Sequence, residues 1–221
     1  MNDKSKTAFY GAGLSLVIGY LLSFTSRAII EAMLYFIALK TSMTPGQYSD
    51  LYYFAPMSIR VAALLCTCIF LAIGFFQMSK TIPFIFALTS ITLLIGIIVP
   101  DILFNGDFVP IAYPYTKDPT YLSITIFNCL FWFSFLVLLF LSAIFLKNDT
   151  ESNNVRRLRM AFFILLGLSI FSYFMDYLDY FISFSTETLT VYLVIYNVFY
   201  VLEIAFAVAA GILFIIYARQ K

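Results

Sequence analysis

Six stretches of this sequence are long and apolar enough to cross a bilayer, running roughly 8–40, 51–77, 81–100, 119–146, 155–183 and 188–218. In hydrocarbon there is no water to satisfy backbone N–H and C=O groups, so a spanning stretch of this length folds as an α-helix. The residues between the stretches are turn formers: Thr44-Pro45-Gly46-Gln47, then Asn105-Gly106-Asp107 with Pro110 and Pro114, then Asn148 to Asn154. The expected fold is all-α, a polytopic transmembrane helix bundle in a single integral membrane domain over 1–221.

Composition says the same. Apolar residues make up 62% of the 221, against about 45–50% in a soluble domain. Charged residues are 11% and aromatics 19%. A soluble fold of this size could not hide that much apolar surface. The bilayer is therefore the expected partner, the cell membrane the expected location. A net charge of +1 with no Lys/Arg stripe argues against nucleic acid. The chain has no histidine, which removes bis-histidine haem, HExxH zinc proteolysis and histidine acid–base catalysis. Cys66, Cys68 and Cys129 all fall inside apolar stretches and read as small hydrophobes rather than a disulfide or metal site.

Lysine and arginine orient the chain. With the N-terminus inside, the cytoplasmic side collects Lys4, Lys6, Lys80, Lys147, Arg156, Arg157, Arg159, Arg219 and Lys221, and the outer side only Lys40 and Lys117. Six spans with both termini cytoplasmic are expected. The first span, at roughly 50 Å, exceeds a hydrocarbon core of about 30 Å and must tilt, project into water or break near Thr25-Ser26. A break there is the route to the alternative of seven spans. Ser26-Arg27-Ala28 loosely fits a signal-peptide cleavage site, but the apolar run continues through it, and an uncleaved first helix is preferred. The sequon Asn148-Asp149-Thr150 falls on the inner side, where it would stay unmodified.

Depth can then be assigned to each polar residue inside a span. Arg27 and Glu31 lie in the outer half of helix 1, Arg60 and Asn128 at similar depth in helices 2 and 4, and Asp176 and Asp179 in the outer half of helix 5. Asn197 lies in the outer half of helix 6, with Glu203 near its middle. Tyr173, Asp176 and Tyr180 share a face of helix 5, as Tyr192, Tyr196, Tyr200 and Glu203 do on helix 6. Ionisable residues at membrane depth are costly, about 2.5–3.5 kcal/mol on insertion scales, and mark a site by default.

Two readings follow. In one, the charges pair to fix helix register and the tyrosines form an interfacial belt. In the other, Arg27, Glu31, Arg60, Asn128, Asp176, Asp179, Tyr196, Asn197, Tyr200 and Glu203 line an aqueous cavity open to the outside. Four acids against two arginines favour the cavity, because an unpaired buried carboxylate must protonate or bind a cation. Arg27 and Glu31 can also pair with each other at i, i+4.

Helix 1 carries a further row, Gly11, Ser15, Gly19 and Ser23, leading to Arg27 and Glu31. Small residues four apart suit a tight helix–helix contact, within the chain, in a homo-oligomer or with a partner membrane subunit. The Arg156-Arg157-Leu158-Arg159 start of helix 5 anchors topology and can meet anionic lipid. In composition the later half resembles membrane sensor modules fused to bacterial signalling domains, a resemblance that assigns no residues. No phosphate-binding loop, GxSxG elbow or CxxC occurs, so no enzyme and no cofactor are expected. The leading expectation is a small transporter, channel or transporter subunit for a cation, amine or proton. A receptor-like sensor and a structural or assembly subunit are the alternatives.

Overall fold

Each apolar stretch is one helix. The computed structural model describes residues 2–40, 49–104, 119–147, 151–181 and 186–220. Within these ranges, side chains are described except at 31, 34–35, 37–40, 49–55, 57, 99–104, 119–125, 169, 172–181, 186–197 and 199. The helices are α1 (Asp3–Lys40), α2 (Ser49–Gln77), α3 (Thr81–Phe104), α4 (Pro119–Phe145), α5 (Asn153–Phe181) and α6 (Thr186–Arg219). Among the described residues, five of the six carry a stretch long and apolar enough to span a membrane, and α5 is the exception.

α1 runs unbroken for 38 residues, so the break that a seventh crossing needs is not present. The two hydroxyls at the expected weak point bond within the helix. Thr25 Oγ1 donates to the Leu21 carbonyl and Ser26 Oγ to the Ser23 carbonyl, both at 2.9 Å. A hydroxyl satisfied by the preceding turn does not compete with the helix from outside it.

Around the bundle the helices follow the order α4, α3, α2, α1, α6, α5, each packed on the next, while α5 touches α4 only slightly. Three contacts bring the chain's ends and two connections together. The Arg219 guanidinium lies 5.6 Å from the Tyr10 ring, Lys80 Nζ lies 5.5 Å from Phe145, and the Tyr217 hydroxyl donates to Glu151 at 3.0 Å. This is the terminal end of the molecule; α1, α3 and α5 end at the opposite, distal end. The basic residues of the α1 start, the α2–α3 turn, the α5 start and the α6 end therefore gather on one side.

The α2–α3 turn is the tightest. Ser79 takes φ 55°, while Lys80 N–H reaches the Phe75 carbonyl and Ser79 N–H the Phe76 carbonyl, both at 3.0 Å. That pairing satisfies carbonyls at the helix end, with a residue in the left-handed region where glycine is the usual choice. Phe76 and Phe84 close over it, ring centroids 5.6 Å apart.

Small residues set the closest approaches. A Cβ added at Gly13 would sit 2.5 Å from the Gly211 carbonyl oxygen, and one at Gly211 would sit 2.7 Å from that of Gly13, so α1 and α6 cross backbone to backbone. On its other side α1 meets α2. Gly11 faces the Phe70 ring, Gly19 faces Ala63, and Ser23 Oγ donates to the Pro56 carbonyl at 2.9 Å. Three members of the small-residue row thus pack within the chain. α3 and α4 are joined by the Ser90 and Ser134 hydroxyls, 3.0 Å apart. Cys66 is exposed and Cys68 buried, as a step of two on a helix dictates.

Burial is uneven along the bundle. The core is fullest toward the terminal end, where Phe9 packs edge-on against Phe75 and stacks on Phe214. Past Ser23 no described residue of α1 is buried, nor is any in α4 before Phe131, in α5 after Leu166, or in α6 before Phe206.

Candidate functional site

The level at which burial gives out on these four helices is also where the charges meet. Arg60 on α2 and Glu203 on α6 form an ion pair, with side chains 16% and 18% exposed. The guanidinium carbon of Arg60 lies 5.3 Å from the Tyr20 ring and 5.5 Å from the Trp132 ring. Four helices, α1, α2, α4 and α6, each contribute one of these residues. A cation over aromatic faces gains about 2 kcal/mol or more when desolvated. Removing one partner of a buried pair strands the other charge and costs about 3–5 kcal/mol.

Helical spacing explains how the site is assembled. Leu16 and Tyr20 stand one turn apart on α1; Trp132, Phe135, Leu136 and Leu139 share one stripe of α4; Glu203, Phe206 and Ala207 share one on α6. Together these nine residues line a cavity of about 10 Å³ beside the pair. That volume holds one water molecule and nothing larger. On its terminal side, Phe162 of α5 stacks on Phe206 at 5.3 Å and closes the bundle.

On the distal side lies a second cationic contact. The Arg27 guanidinium sits 4.7 Å from the ring of Tyr200, one turn from Glu203. Asn128 occupies the corresponding turn of α4, one turn from Trp132. Its Oδ1 is buried and has no hydrogen-bond partner among the described residues.

The expected set thus divides. Arg60 joins Glu203, Arg27 joins Tyr200, and Asn128 stands on the same distal side. The side chains of Glu31, Asp176, Asp179, Tyr196 and Asn197 lie outside the described residues, as does any pairing of Arg27 with Glu31. Among the described residues, no three Cys, Asp or Glu side chains cluster to hold a metal.

Sequence reasoning missed Tyr20 and Trp132. The signal available was that Trp132 is the chain's one tryptophan, set at the depth of Arg60. It also missed a polar cluster at the terminal end. There, Arg159 Nη1 donates to Glu151 Oε1 at 2.6 Å, and the Tyr217 hydroxyl shares the same oxygen. Glu151 and Tyr217 lie 66 residues apart, and no local pattern connects them.

No known family, curated protein or solved structure matches the chain. Its class rests on its own features: an all-helical bundle, apolar enough in five helices for a membrane among the described residues, with the Arg60–Glu203 ion pair between α2 and α6.

Proposed function

We propose that this chain is a small multi-pass membrane transporter, channel or transporter subunit, not an enzyme, in which the Arg60–Glu203 pair is the floor of a cleft open at the distal end. The observation that carries the reading is that, among the described side chains, none on α1 past Ser23, and none on α4, α5 or α6, is buried on the distal side of that pair. A bundle built only for packing has no reason to thin its described packing on four helices at the depth of ionisable residues, while α2 and α3 keep Pro56, Leu94 and Ile97 buried. The basic terminal end supports a cytoplasmic position for both termini, so the cleft faces outward across six spans, in the cell membrane. Arg27 and Tyr200 stand in it. On this reading Asp176, Asp179, Glu31, Asn128, Tyr196 and Asn197, which the sequence puts at the same depth, are assigned to its polar lining, suited to a cation, amine or proton.

A second reading has one observation in its favour: Arg60 and Glu203 neutralise each other, as a purely structural staple would. Association with a second subunit through the Gly11, Ser15, Gly19 and Ser23 row would have to compete with α2 for three of those residues.

Flux assays in proteoliposomes separate the readings. Purified protein is assayed for uptake of protons, alkali cations and small amines, alongside Glu203→Gln, Asp176→Asn and Asp179→Asn. Transport lost in a variant that still elutes as a folded species supports the cleft. Variants that aggregate while the parent chain moves nothing support the staple.

A further inference from the structure

The seam between α4 and α5, where the ring of helices is held most loosely, carries a pattern of its own. The two helices meet where Phe140 lies edge-on to Phe163, ring centroids 5.7 Å apart. They run antiparallel, so equal steps from that contact toward the terminal end reach the same level on both. On α4 the steps lead to Ile144 and Lys147, and on α5 to Met160 and Arg156. Both sets follow the three–four spacing of a single helical stripe. The last turn of α4 holds this course, with Leu146 N–H donating to the Ser142 carbonyl at 3.0 Å and Lys147 N–H to that of Ile144 at 3.3 Å. Ile144, Lys147, Met160 and Arg156 are all exposed. Seven residues carry each cation about 10 Å beyond the phenylalanine pair. The seam is thus an apolar groove with a cation on either wall of its mouth.

The neighbouring charges reinforce that sign. Lys80, in the α2–α3 turn, lays Nζ 5.5 Å from the ring of Phe145, next to Ile144, and brings a third cation to the end of α4. Glu151, the acid described just before α5, is drawn toward α6 instead, where it accepts from Arg159 and from the Tyr217 hydroxyl. Arg159 is committed to that contact. Arg157 is exposed, but about 100° around α5 from Arg156. Asp149 lies outside the described residues.

We propose that the terminal mouth of the α4–α5 seam binds one anionic phospholipid, its phosphate between Lys147 and Arg156 with Lys80 alongside, and an acyl chain against Ile144, Met160 and the Phe140–Phe163 pair. Phosphate oxygens accept charge-assisted hydrogen bonds from both an ammonium and a guanidinium, and basic sites between helices at a membrane surface suit such headgroups. The apolar walls continue the hydrocarbon of the bilayer, so a lipid enters sideways without leaving it, whereas a free phosphate meets only the mouth. A zwitterionic lipid brings its own ammonium, which the same cations repel. The site needs the bundle to sit in a bilayer and is independent of what the distal cleft carries.

The test is native mass spectrometry of the full chain in detergent, titrated with phosphatidylglycerol, alongside thermal unfolding. One retained phosphatidylglycerol and a raised Tm are expected, with neither from phosphatidylcholine. Lys147→Gln and Arg156→Gln should each weaken binding about tenfold or more, as the loss of a hydrogen bond to a charged group does. Arg157→Gln removes the same charge beside the seam and should cost less than about threefold at physiological salt, where exposed charges are screened. Lys147→Arg and Arg156→Lys should retain the lipid, which keeps the test decisive should a Gln variant not fold. Equal losses in Arg156→Gln and Arg157→Gln would mean diffuse attraction to a basic surface and overturn the site. Retention of phosphatidylcholine to the same extent overturns the charge selection. A Tm shift from inorganic phosphate as large as that from phosphatidylglycerol overturns the lipid in favour of a bare anion.

Discussion

The terminal and distal halves of this molecule differ both in residues and, among the described side chains, in packing. Toward the terminal end, glycines let α1 and α6 touch through their backbones, phenylalanines interlock, and a Glu151–Arg159–Tyr217 cluster ties the start of α5 to the end of α6. Toward the distal end, four helices carry no buried residue among those described, and their sequences bring in Arg27, Asn128, Asp176, Asp179 and Asn197 among the apolar residues. Apolar residues alone do not bring helices together in lipid, because the tails are as apolar as leucine. Close packing and polar contacts do. The difference between the halves is therefore one of shape and polar placement, with the Arg60–Glu203 pair at the boundary.

Two substitutions should show the contrast at full size. Phe9→Ala empties a fully buried site between Phe75, Phe214 and Gly74. The expected loss is about 3 kcal/mol, the low end for phenylalanine because no transfer from water is involved. Ile29→Ala, in distal α1 at 59% exposure, should change unfolding in detergent by less than about 0.5 kcal/mol. Equal effects would mean the halves do not differ in packing. Next in size, Gly211→Ala places a methyl against the Gly13 carbonyl oxygen, the Val17 side chain and the Leu16 Cβ. A carbonyl fixed in a helix cannot move aside, so a loss of about 1–3 kcal/mol is expected, read as a lowered Tm.

This contrast also marks how far the sequence could be read. Apolar length placed all six helices, five of them apolar enough among the described residues to span a membrane, where a backbone has no other way to satisfy itself. Depth counting placed Arg60 in the outer half of helix 2 and Glu203 deeper, near the middle of helix 6, and the structure pairs the two. What spacing could not provide was the partner across the bundle. Glu203 shares its face with Tyr192, Tyr196 and Tyr200, which turned attention to neighbours on α5 and α6. Its described partner comes from α2, through contacts with Tyr20 and Trp132 that depend on how helices rotate about their axes. The small-residue row was read correctly as a tight contact, but a periodic row does not say which helix it meets. Tyr217 and Glu151 were invisible for the same reason.

Smaller effects probe the ends of the comparison. Tyr217→Phe removes one donor from Glu151 while Arg159 remains. A loss of about 1–2 kcal/mol is expected, with faster amide exchange at the start of α5. Unchanged exchange there would mean that this cluster does not fasten α5 to α6.

Gly167 gives the smallest effect and the most discriminating sign. It lies on α5 just past Leu166, the last buried residue described on that helix, and a Cβ added there meets nothing within 4 Å. In open space the only consequence of Gly167→Ala is intrinsic: alanine loses less backbone freedom in a helix, which favours the folded state by up to about 1 kcal/mol. The same change at Gly211 is expected to be destabilising, so one substitution should carry opposite signs in the two halves. A Tm that rises for Gly167→Ala fits a distal α5 standing away from its neighbours. A Tm that falls would place another helix against Gly167, fill the cleft above Glu203, and leave the ion pair inside a closed bundle.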